Sequence, residues 1–217
     1  MNRVVATFVG LALVGACRSS ADEPASLAPP PPEDAAMSSD AAAERALGCP
    51  GETPTTYAWA PPVAKEPKAC TDDDLRRLAN LTATNSSPSE AEMAEALGPN
   101  CARCAIGKVS DATWRAVVVG HEGYIGNVGG CAVRLGATEP CGKEIDALST
   151  CLILGCAGCK DRKAQDTCAD QLTTVDGACA AHLRTMRRIC NANILASAFD
   201  TNGECQSFAE TIRLFCT

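Results

Sequence analysis

Histidine and aromatic residues are scarce in this chain: two His, two Trp, two Tyr and four Phe among 217 residues. Two His exclude a multi-histidine metal centre. Positive charge is also short, with 19 Lys and Arg against 26 Asp and Glu, a formal net charge of −7. That balance argues against a dedicated nucleic-acid binder, which needs a basic face. No apolar run reaches the roughly 20 residues that a membrane-spanning helix requires. The hydrolase signatures G-x-S-x-G and H-E-x-x-H are missing as well, since His121-Glu122-Gly123 stops after two matching residues. The length suits one domain or two small ones. The abundant residue is Cys, 15 in all.

Residues 1–16 read as an export signal. Arg3 supplies the positive start, and residues 4–14 form an apolar stretch too short to span a bilayer. The segment ends in Val14-Gly15-Ala16-Cys17, which resembles the bacterial lipobox: an aliphatic residue, two small residues, then Cys. The resemblance implies that Cys17 is acylated on sulfur and becomes the first mature residue; the alternative is ordinary cleavage near Ala16. Parity favours the lipid, because removing Cys17 from the 15 Cys leaves an even 14. Several acyl chains on one Cys give a stable anchor, each buried methylene adding about 0.8 kcal/mol. The expected partner is therefore a membrane, reached through Cys17. Arg18 and Ser19 follow the Cys with no Asp beside it, so the expected location is the cell envelope, at the outer membrane.

Residues 17–48 change character. Pro29 to Pro32 are consecutive, and after Cys17 six acidic residues face only Arg18 and Arg45. Such a segment has too little to bury to offset its ordering entropy and is expected to be a disordered tether.

Residues 49–217 carry 14 Cys, the density of a disulfide scaffold. The expected fold is mainly α: a small disulfide-rich helical domain with a short Gly-rich hairpin or loop. Thr71-Asp72-Asp73-Asp74 reads as a helix start running to about Leu81. Ser87-Pro88-Ser89-Glu90 reads as a second start, with Ser87 as cap and Pro88 at the first helical position, and the helix is stopped by Gly98. Val117, Val118 and Val119, followed by closely spaced glycines, predict the hairpin or loop. Helices resume at Pro140.

The spacing of Cys near the C-terminus suggests a pairing. Cys179 and Cys190 are 11 residues apart, as are Cys205 and Cys216. Eleven residues of helix return to one face with about 20° of offset. With a turn at Asp200-Thr201-Asn202-Gly203, an antiparallel hairpin would join Cys190 to Cys205 and Cys179 to Cys216. Cys131 with Cys141, and Cys151 with Cys168, are expected as further pairs.

Two C-x-x-C motifs, Cys101–Cys104 and Cys156–Cys159, offer redox chemistry, and Arg103 within the first would favour a thiolate. No βαβ pattern surrounds them, so structural bridges are the preferred reading. Their 51-residue spacer is far from that of compact zinc sites. Lys160 after the second motif matches only a rare haem-attachment variant. No catalytic residue, metal or other cofactor is expected. Arg184, Arg187 and Arg188 are read as a solvated helix face balanced by nearby acids. Trp59, Trp114 and Tyr124 are the candidates if the domain stacks on a small molecule or carbohydrate.

Taken together, the lipobox, the acidic Pro/Ala tether, Cys70-Thr71-Asp72-Asp73-Asp74-Leu75, Cys101–Cys104, Trp114, Gly130-Cys131, Cys141-Gly142 and Phe215-Cys216 resemble predicted cysteine-rich lipoproteins of myxobacteria. The likeness covers about residues 70–216 and rests mostly on Cys spacing. It carries over no catalytic residue. The expectation is a non-enzymatic envelope lipoprotein, with a thiol–disulfide oxidoreductase using one C-x-x-C as the alternative.

Overall fold

A computed structural model describes residues 58–85, 88–120, 123–200 and 203–217. The export signal, Cys17, the tether and Cys49 lie outside the described residues. The described part is mainly helical, with a three-stranded sheet set into it.

Helix α1 spans Asp72–Thr84 and α2 spans Glu90–Ala105. Thr71 caps α1 as its sequence suggests: its Oγ1 accepts the Asp74 N–H at 3.3 Å, and the Asp74 carboxylate accepts the Thr71 N–H at 2.8 Å. These bonds satisfy two of the donors that a helix start leaves open. The cap of α2 is Ser89, not Ser87, and Glu92 rather than Glu90 completes its box. The motif Ser-x-x-Glu occurs twice here, two residues apart, and sequence pattern alone does not separate the registers. Gly98 breaks α2 with φ of 73°, a left-handed conformation that costs glycine no Cβ clash. Pro99 then restarts the helix. Met93, Leu97, Cys101 and Cys104 stay buried across the break.

The valine run forms strand β2, because β-branched side chains pack well on a pleated surface. β1 is Ile106–Lys108, β2 Val117–Gly120 and β3 Gly123–Gly126. β2 and β3 are antiparallel, with Gly120 opposite Gly123 at the closed end, and β1 lies parallel to β2. Ahead of α1, Pro62 bridges to Trp114, whose ring is fully buried beside Ala60 and Val118.

Six further helices follow: α3 Val128–Arg134, α4 Glu139–Gly155, α5 Arg162–Leu172, α6 Ala180–Ile189, α7 Ala192–Phe199 and α8 Phe208–Cys216. Helix α3 occupies part of the expected Gly-rich loop. Its glycines serve packing. A Cβ on Gly129 would sit 2.1 Å from the Gly142 carbonyl oxygen, and one on Gly142 would sit 2.8 Å from the Gly129 oxygen. The two helices therefore touch backbone to backbone. Asn127, fully buried, fastens this junction: its Oδ1 caps α3 at the Gly130 N–H, and its Nδ2 donates to the Trp114 and Arg115 carbonyls.

The main core is aliphatic and sulfur-rich, with Phe215, Ile212, Met186, Leu78 and Leu97 almost completely buried among the cystines. Among the described residues no helix is long and apolar enough to cross a membrane.

Candidate functional site

Sulfur is the one chemistry this chain concentrates, so the candidate site is its disulfide framework. Six bonds join described residues: Cys70–Cys101, Cys104–Cys216, Cys131–Cys205, Cys141–Cys190, Cys151–Cys179 and Cys156–Cys168. Cys159 is disulfide-bonded as well. Their Cα separations, 4.4–6.0 Å, fall in the range a bridge needs.

The expected pairings are corrected. Cys179, Cys190, Cys205, Cys216, Cys131, Cys141, Cys151 and Cys168 are all bonded, but to other partners than the spacing suggested. Two physical reasons account for this. Residues 192–199 form their own helix, capped by Asn191, so α6 and α8 are not the two arms of a simple hairpin. Cys205 precedes the α8 cap, Ser207, and sits in a turn rather than one helical step series with Cys216. The antiparallel partner of α6 is α4: Cys141 and Cys151 on α4 meet Cys190 and Cys179 at the two ends of α6. The Cys at the two ends of α6 do face one neighbouring helix, but that helix is α4 and not α8. Cys131 and Cys141 do not close locally because α3 and α4 present them to different neighbours, Cys205 and Cys190.

Neither C-x-x-C closes on itself. Cys101 ties α2 to the start of α1, while Cys104, in the last turn of α2, ties it to the end of α8. Cys101 and Cys104 are 1% and 0% exposed. A buried bridge between separate elements offers no accessible sulfur to an exchanging thiol. In the second motif Cys156 bonds Cys168 on α5. The sulfurs of Cys156, Cys159 and Cys168 all lie within 4.8 Å of one another. Three thiolates so placed could hold a soft metal ion if reduced; as cystines they are spent as ligands.

Two groups, the buried Asp146 and the half-buried Arg134, escaped the sequence reading. Asp146 on α4 is 3% exposed and accepts the Gly129 N–H, while its Oδ1 has no hydrogen-bond partner among the described residues. Burial in this apolar junction pushes its carboxyl up to about 7, against the Gly129 hydrogen bond, which favours the charged form. Nothing in the spacing of α4 marks Asp146; the close approach of Gly129 and Gly142 creates its environment. Arg134 lies over the Phe215 ring, 5.4 Å from its centroid, and burial pulls its guanidinium below its ordinary value.

The remaining candidates are ordinary. His182 Nδ1 lies 3.1 Å from the Glu144 carboxylate across the α4–α6 contact. Trp114 is inside the core, which removes it as a stacking surface. Tyr124 is half-buried edge-on against Phe208, with centroids 5.4 Å apart, and Trp59 is half-buried against the Trp114 cluster.

No family model, no curated protein and no solved structure matches this chain.

Proposed function

We propose that the protein is a lipid-anchored envelope lipoprotein of the kind its sequence resembles, displaying a disulfide-stabilised helical domain for binding or surface structure and performing no catalysis. The observation that carries this reading is the separation of each C-x-x-C into bridges that staple different elements. A redox-active motif needs its two sulfurs to bond each other in turn. Cysteine count supports the anchor. The six described bonds use 12 of the 15 Cys and Cys159 uses one more. That leaves Cys17 and Cys49 for one remaining bond. The lipobox assigns the surplus sulfur to Cys17.

Growth with a labelled fatty acid tests the anchor. The wild-type chain incorporates label, and Cys17→Ser does not; label in neither variant refutes it. A second reading, thiol–disulfide exchange, draws on the proximity of Cys156, Cys159 and Cys168. Equilibration in glutathione buffers separates the two. Structural bridges resist reduction down to about −300 mV, whereas a pair reduced near −200 mV would favour the oxidoreductase.

A further inference from the structure

Arg184, Arg187 and Arg188 stand three and four residues apart on the exposed face of α6, so their side chains are neighbours. None of them lies within ion-pair distance of a carboxylate among the described residues, whereas Arg76, Arg77, Arg115, Arg162 and Arg213 each do. The nearby acids, Asp176 in the preceding loop and Glu144 against His182 on the same helix, form no ion pair with them. The position of Arg187 and Arg188 in the last turn suits the helix dipole, but that does not account for what surrounds them. The two large hydrophobic side chains exposed among the described residues are Val175, at 81%, and Ile189, at 39%. Val175 lies beside this patch, since Arg184 donates to its carbonyl at 3.1 Å, whereas Ile189, next to Arg188 in sequence, stands about 100° round the helix from it.

We propose that this patch is the face the domain turns to its membrane, with the arginines on anionic lipid headgroups and Val175 at the headgroup–acyl boundary. The proposal rests on the lipid-anchor reading for its reach. If residues 18–48 are the tether that their composition leads one to expect, about 31 residues of coil would span about 30 Å root-mean-square, since the span grows as 5–6 Å times the square root of length. Such a tether would hold the patch near the bilayer at an effective concentration on the millimolar scale. Each basic residue at an anionic surface contributes about 1 kcal/mol, so three together raise affinity on the order of a hundredfold. An isolated basic face would serve any anion. The exposed Val175 beside it favours a surface with an apolar layer beneath the charge.

The test uses the full processed chain, reconstituted into vesicles of neutral lipid alone or with one third anionic lipid, and reads arginine modification by phenylglyoxal. The expected result is about tenfold slower modification of Arg184, Arg187 and Arg188 in anionic vesicles, reversed by high salt, with Arg76 unaffected. Val175→Ser retains the anchor and weakens this protection. Equal modification in both vesicles overturns the patch while leaving the anchor standing. Equal protection by inorganic phosphate also overturns it, making this a general anion site. Failure to sediment with neutral vesicles sinks the anchor instead; protection by added anionic vesicles would then still support the patch.

Discussion

Replacing Asp146 by Asn should change how the stability of the domain depends on pH. Asp146 is sealed between α3 and α4, and its carboxyl is pushed from 3.8 up to about 7. The folded protein therefore holds this proton more tightly than the unfolded chain. Well below pH 3.8 the group is neutral in both states and costs nothing electrostatically. As pH rises from 4 to 7 the unfolded chain ionises first, and folding stability falls. Above 7 the full penalty is present. One pKa unit is worth about 1.4 kcal/mol, so the total loss is on the order of 4 kcal/mol. Of that, on the order of 2.5 kcal/mol falls between pH 5 and pH 8. Asn keeps an oxygen for the Gly129 N–H and does not ionise. Urea unfolding of both proteins with disulfides intact, at pH 5 and pH 8, isolates the effect, since the other titrating groups are common to both. The Asn variant should gain on the wild type by roughly this amount as pH rises. Stability curves that run parallel across the range would refute the reasoning and place Asp146 in contact with water or a counter-charge.

Gly129→Ala should be among the most damaging single-methyl changes, because its Cβ would meet the Gly142 carbonyl at 2.1 Å; thermal unfolding should register a loss of about 3 kcal/mol or more. Non-reducing peptide maps should join Cys141 to Cys190 and Cys151 to Cys179, and recovery of Cys190 with Cys205 would restore the hairpin pairing. Removing Cys104 and Cys216 together, a bridge spanning 112 residues, should cost about 2 kcal/mol more than removing Cys156 and Cys168, which span 12, by loop entropy. Thr71→Ala should cost about 1 kcal/mol through loss of its cap, read from the denaturation midpoint.

What the sequence made legible was local. Thr71 and its acids mark a helix start because cap chemistry acts over three residues, and the valine run marks a strand because branching acts on its own backbone. Gly98 declares a break for the same reason. The long-range pairing was not legible. Each helix face with a Cys at its two ends, 141 and 151 or 179 and 190, fits several antiparallel partners, and only packing selects one. The glycines of α3 were misread as loop because their role, the close approach to Gly142, lies on a different helix. The α7 segment, which displaces α8 from α6, shows in the sequence only as a short apolar stretch after Asn191. The rise of Asp146 likewise depends on neighbours that no local window contains.

The central claim is that every sulfur is covalently occupied, and the intact mass of the native mature protein, before and after alkylation, tests it most directly. The account predicts an acylated Cys17, no added label on the native chain and 14 labels once it is reduced, from the 15 Cys of the sequence. A native chain that takes up label, or a mature N-terminus without acyl groups, would contradict it.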